Sequence, residues 1–189
     1  MDRNGDDTRD PRPLRGEPLG LDLLNTVWVD SGGRHDLLAE RSGLSLWLAE
    51  HGFDDRVPAT PAVREALLAA RDAIAAHVAD PDSPRAAAAL NAVLAGGALR
   101  RSLRPDGPAT TIAVDDPATL PGWAAAEDYL RLLSRDAARV RHCAGPGCVL
   151  HFYDTSKRGD RRWCSMAGCG NRAKAARHYA RTKKGEATG

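Results

Sequence analysis

Cys143, Cys148, Cys164 and Cys169 are the only cysteines of the chain, spaced C-x4-C-x15-C-x4-C. Two close pairs separated by a hairpin-sized gap suit a tetrahedral zinc site, and no cysteine remains for another task. Reduced structural cysteines or a disulfide pair are the alternatives; a cytosolic chain keeps its thiols reduced, which favours metal. Four sulfur ligands leave no open coordination position, so the spacing predicts one structural Zn2+ rather than a catalytic one. A stretch this small buries too little apolar area to fold alone, and the ion supplies the missing free energy. Gly145, Pro146 and Gly147 permit the tight turn between the first pair. His142, His151 and His178 are ligands by residue type, but four sulfurs already complete a tetrahedron.

Charge divides the chain at the same place. Residues 141–189 hold 11 Lys and Arg against 3 Asp and Glu, whereas residues 1–140 hold 16 against 22. A basic end on an acidic body is a layout for binding polyanions; its bland counterpart is a solvated charged tail. Lys174, Arg177, Arg181 and Lys184 recur at i, i+3, i+7 and i+10 and form one stripe if the segment after Gly170 is a helix. Arg161 and Arg162 add charge near the metal site, and Arg172 lies just past the last cysteine. Phe152, Tyr153 and Trp163 are module core or base-stacking platforms.

With 189 residues, 42% hydrophobic and only 5% aromatic, the chain predicts a helical body built on Leu, Ala and Val plus a small appended module. Residues 1–16 and 185–189 read as disordered tails, residues 17–140 as the body and residues 141–184 as the module. The apolar run 19–28 predicts a largely buried helix, with a strand as the alternative over so short a run, and short helices follow over 35–41 and 44–51. Thr60 and Pro61 open a helix reaching Val78, and Ser83-Pro84 open another reaching about Leu94. Ala98–Leu103 and Thr110–Val114 predict a hairpin, and a helix from about Pro121 to Val140 turns Trp123, Ala126, Leu130 and Leu133 inward. That helix runs straight into Cys143, so the module is expected to dock on the body. Within it, 149–153 and 161–163 predict a second hairpin, with Asp154 pairing Arg161 or Arg162 across it. Knuckle, hairpin and helix together predict a treble-clef-like finger on a mainly α, α+β chain. The charged start predicts no signal peptide, no run is long enough to span a membrane, and the cytoplasm is the expected compartment.

Cys143-x4-Cys148, Phe152-Tyr153-Asp154-Thr155-Ser156, Arg161-Arg162-Trp163-Cys164-Ser165-Met166 and Cys169-Gly170-Asn171-Arg172 resemble the CGNR zinc finger over about 141–182. Upstream, Leu21-Asp22-Leu23-Leu24-Asn25-Thr26 resembles the opening of the ABATE-type domain over about 17–135. The resemblance implies a bacterial stress-induced transcription regulator, with a ligand-sensing domain followed by a DNA-binding finger. It implies the four cysteines as zinc ligands and no catalytic residue. Asn171 is expected to support the sulfurs or neighbouring backbone, whereas Arg172 supports sulfur or meets DNA.

The leading expectation is therefore a regulator that binds DNA through Arg161, Arg162, Arg172, Lys174, Arg177, Arg181 and Lys184. RNA is a variant partner. A small molecule or protein effector would meet Asp22, Asn25, Arg64 and Arg71 in the body. A homodimer would suit operator symmetry, though no heptad signals one. The competing reading makes the finger a structural clamp, a third makes the chain an enzyme, and a redox sensor at the zinc thiolates is a further variant. No nucleophile motif, phosphate loop or open metal triad points to an enzyme.

Overall fold

The computed structural model describes residues 10–176. The expectations for Arg177, His178, Arg181, Lys184 and the outer tails lie outside them. Among the described residues the chain is mainly helical with three two-stranded antiparallel sheets, as the α+β expectation requires.

Helix α1, Leu19–Leu24, is buried almost throughout, and the chain then turns into strand β1, Val27–Asp30, paired with β2, Gly33–Asp36. The helix expected over 19–28 therefore stops early. Val27, Trp28 and Val29 prefer extended backbone, and Gly33 at φ +113° closes the turn that pairs them. Residues 35–41 likewise form the end of β2 and a short 3-10 turn, Leu37–Ala39, instead of a helix. Helix α2 is Arg41–Glu50.

Helix α3, Pro61–Ala79, begins as expected: the Thr60 hydroxyl accepts from the Val63 N–H, and Pro61 takes the first position. Val63, Leu67, Ala70 and Ile74 make its buried stripe. Helix α4, Pro84–Ala95, is capped by Ser83. Strands β3, Gly97–Arg104, and β4, Gly107–Val114, then pair over eight positions. The connecting loop is only Pro105 and Asp106, shorter than the linker expected, because Gly107 adopts φ +122° and lets the ladder begin immediately.

Helix α5, Leu120–Asp136, is the central strut. Trp123 and Ala126 face inward as expected, but Tyr129 and Leu132 complete the stripe and Leu130 is 40% exposed. Gly20 of α1 packs so closely on α5 that a Cβ there would lie 2.7 Å from the Ala125 carbonyl oxygen. After a short 3-10 turn, strand β5, Val140–His142, pairs with β6, His151–Tyr153. The expected partner of 149–153 was 161–163. The Cys143–Cys148 knuckle instead folds 140–142 back on 151–153, and the Cys143 N–H donates to the Leu150 carbonyl at 2.9 Å.

The finger is docked on the body. Leu150, Phe152, Tyr153 and three of the cysteines belong to the same buried cluster as Leu21, Leu24, Tyr129 and Leu132. Nor is the start of the described chain free of tertiary structure. Arg12 is buried, and its guanidinium pairs with Asp10, Asp22 and Glu50. Among the described residues no helix is long and apolar enough to cross a membrane.

Candidate metal centre

The sequence folds the four cysteines to one point from four local settings. Cys143 follows β5, Cys148 ends the knuckle, Cys164 follows an irregular segment, and Cys169 lies in the wide turn Met166–Gly170 that continues as helix at residues 171–176. Ser165 caps that turn by accepting from the Gly168 N–H.

The four sulfurs lie within 4.8 Å of one another. Cys148 and Cys164 sulfurs are 3.9 Å apart, and Cys164 and Cys169 sulfurs 3.7 Å. A tetrahedron with Zn–S bonds of ~2.3 Å has sulfur–sulfur edges of ~3.8 Å, whereas a disulfide needs ~2.05 Å. The donor set therefore fits one four-sulfur ion. Three of the cysteines are buried and Cys148 is half-buried.

The cradle is matched to charged sulfur. The N–H groups of Gly145 and Cys164 point at the Cys143 sulfur at 3.4 and 3.3 Å. Burial pushes that thiol up, but these two donors together with the Cys164 and Cys148 side chains hold it below its ordinary value. Burial pushes Cys148 up to about 11 and raises Cys164 as well, so these thiols need a cation to ionise. Gly145 passes so near that a Cβ would sit 2.9 Å from the Cys169 sulfur. Arg172 donates to that sulfur at 3.0 Å, placing positive charge beside the four-sulfur cluster, where it would offset the net negative charge of four thiolates on a divalent ion. Asn171 does not reach a sulfur; its amide reaches the Ala167 carbonyl at 3.4 Å.

The basic residues divide by direction. Arg161 turns inward: Nε donates to the Trp163 carbonyl at 3.0 Å, Nη2 to the Cys164 carbonyl at 2.6 Å, and the guanidinium covers the Phe152 ring at 4.1 Å. It also lies 3.6 Å from Glu17 of the body. Asp154 therefore meets the Arg161 main chain, not its guanidinium, accepting from that N–H at 2.8 Å and from the Ser156 N–H at 2.9 Å. Arg162 and Lys174 are exposed, and Arg162 stacks over Trp163 at 5.4 Å. Ala144, Pro146, Arg162, Trp163, Arg172 and Ala173 line an open groove of about 410 Å3 beside the metal centre.

The four residues expected to hold an effector are not gathered in one cavity. Asp22 is fully buried and accepts from Arg12, from Trp47 Nε1 at 3.0 Å and from His51 at 2.9 Å. Burial opposes its charge, but His51 and Arg12 outweigh burial and hold the carboxyl below its ordinary value. Glu50, His51 and Asp22 cluster as metal ligands would, but the Arg12 guanidinium already supplies the cation. Asn25 is a joint between body and finger. Arg64 donates to the Leu38 carbonyl and lines a groove of about 510 Å3. Arg71 pairs with Asp36 through two bonds of 2.8 Å and lines a different recess of about 180 Å3. A more apolar cleft of about 590 Å3 lies between α3 and α4, lined by Ala66, Ala69, Ala73, Ala89 and Trp123, with Asp72 at its side.

Three structural residues escaped the sequence reading. Glu17 accepts from the Tyr153 N–H at 2.9 Å, and Arg139 donates to the carbonyls of Asp154 and Ser156 at 2.7 and 2.9 Å. Neither residue has a local motif that announces a partner so distant. Gly145 was legible as a turn residue but not as the floor of the sulfur cradle.

A family model described as CGNR zinc finger matches residues 139–182. A second, the ABATE model, described as "Putative stress-induced transcription regulator", matches residues 17–139. No curated protein matches the chain.

Proposed function

Because the chain belongs to the ABATE family and carries a CGNR zinc finger, we propose that it is a cytoplasmic transcription regulator whose finger binds DNA around one structural zinc ion. The observation that carries this reading is the four-sulfur cluster beside exposed arginine and lysine. Bound zinc would cross-link the knuckle to the terminal helix and add no catalytic centre. Arg162 and Lys174 would then meet phosphates from a rigid support, joined by Arg177, Arg181 and Lys184 along the continuing segment. Arg161 and Arg172 would act indirectly, through the main chain around Trp163 and the Cys169 sulfur. The effector would enter the cleft between α3 and α4, whose alanine walls suit an apolar small molecule better than an anion.

One observation favours a second reading. The finger shares its core with the body, and Arg161 is spent on internal contacts, as a structural clamp would require. Titration of zinc-loaded protein with duplex DNA separates the two. The regulator binds with affinity that falls steeply as salt rises. A zinc-loaded, folded protein with no affinity for any duplex at 50 mM salt would leave the clamp standing alone.

A further inference from the structure

We infer that the β3–β4 hairpin is a second DNA contact, an arginine-bearing ribbon that enters a groove and carries an apolar wedge at its tip. The inference rests on the DNA-binding reading above and adds a surface on the body that the finger does not supply.

The hairpin pairs eight positions, so it reaches on the order of 26 Å. Its root is fixed: Ile112 and Val114 pack on the core, and Gly97 lies so close to Trp123 that a Cβ would sit 2.7 Å from the indole nitrogen. From Ala98 to Asp106 every residue is exposed. Such an arm adds little to the core, and an isolated two-stranded ribbon is marginal on its own.

Its charge runs against its surroundings. Residues 1–140 are net acidic, yet β3 carries Arg100, Arg101 and Arg104 with Asp106 as the hairpin's one acid. Among the described residues none of the three guanidiniums has an ion-pair partner. Strand alternation places Arg100 and Arg104 on one face and Arg101 on the other, with Thr111 and Thr110 opposite Arg100 and Arg101. Positive charge on both faces suits a groove with phosphates on either wall better than a flat surface. Two-stranded ribbons contact DNA in the major or the minor groove. At the tip, Leu103 pairs with Pro108 and is 83% exposed. Leu and Pro are side chains that wedge between base steps.

A second copy of the chain fits less well. Pairing two β3 edges about a two-fold axis would set arginines against arginines. The hairpin feeds the first turn of α5 and the finger follows its last turn, so α5 separates them by on the order of 25 Å. That separation of the hairpin's root from the finger is less than one DNA turn of ~34 Å.

The test is fluorescence anisotropy of full-length, zinc-loaded protein on a labelled 30-base-pair duplex of random sequence, from 50 to 300 mM NaCl. Arg100→Ala/Arg101→Ala/Arg104→Ala should weaken binding at least tenfold at 100 mM salt. It should also lower the slope of log affinity against log salt by about 2 to 3. The corresponding triple Lys variant should keep the slope, and Leu103→Ser should weaken binding without changing it. Circular dichroism melting checks that each variant is folded. Wild type that binds, beside an Ala variant of equal affinity and slope, overturns the hairpin contact alone. Wild type that binds no duplex sinks the DNA reading itself. Sedimentation in which Leu103→Asp dissociates a dimer, with DNA affinity unchanged, makes the hairpin a contact between copies and also overturns the inference.

Discussion

Asn25 and His151, 126 positions apart, are joined by two reciprocal hydrogen bonds. The Asn25 amide donates to the His151 carbonyl at 2.9 Å, and the His151 N–H donates back to Asn25 Oδ1 at 2.9 Å. A side chain at the end of α1 thus behaves as one more residue of sheet beside β6. Asn25 is fully buried and His151 half-buried, so water is a poor substitute for either bond.

Asn25→Ala should therefore destabilise the zinc-loaded protein by about 1–3 kcal/mol, since two half-buried main-chain groups lose their partners. Asn25→Asp should be worse at neutral pH, because a carboxylate would face the His151 carbonyl. Urea denaturation measures both, and a cost near zero for the alanine variant would mean the joint is not structural.

Gly145→Ala should weaken zinc binding by about tenfold or more, because the added methyl meets the Cys169 sulfur. Competition with a chromophoric chelator reads the affinity. Gly147→Ala separates the two effects: Gly147 adopts φ +70° but its Cβ would meet open space, so backbone strain there should leave the sulfurs undisturbed.

Zinc content should fall as the solution is acidified from pH 8 to 5. Burial keeps Cys148 and Cys164 protonated without an ion, so binding must displace protons, and acid reverses it. Elemental analysis after dialysis should find about one ion per chain at pH 8, and less as pH drops. Cys164→Ser should lose metal even at pH 8.

Asp22 predicts an acid limb to stability. Its carboxyl titrates in the folded chain below the ordinary ~3.9, so ionised Asp22 contributes fully above that value. The contribution disappears as pH falls through the lower folded value. Asp22→Asn should make the melting temperature less dependent on pH below about pH 4 than in wild type. Arg12→Ala leaves that buried carboxylate without its guanidinium and should cost about 3–5 kcal/mol at pH 7.

Arg161 and Arg162 are adjacent in sequence and opposite in consequence. Arg161→Ala removes two bonds to main-chain carbonyls and the cover over Phe152, so it should lower the melting temperature. Arg162→Ala should leave the melt unchanged and lower the salt slope of DNA binding by about 0.9. If both variants behave alike, the division into inward and outward arginines is mistaken.

Legibility followed the range of the forces involved. Helix α3 was readable because its apolar period is sustained and Thr60 and Pro61 mark its start. The run 19–28 was legible as buried helix only to Leu24, because so short an apolar segment also suits a strand, and pairing with β2 decided the matter at Val27. The partner of β6 was missed because the knuckle brings 140–142 back before 161–163 can compete.

The four-cysteine cluster, the acidic body and the basic end could be read from residue types and spacing, since ligand chemistry and charge are properties of the side chains themselves. Folding assigned the partners. It turned Arg161 inward and left Arg162 outside, and made Asn25 a joint where a ligand contact was expected. It also set Arg12 in an acidic cluster that would otherwise resemble a cation site. These outcomes depend on which surfaces are brought together and stripped of water, and burial of that kind arises only when distant parts of the chain meet.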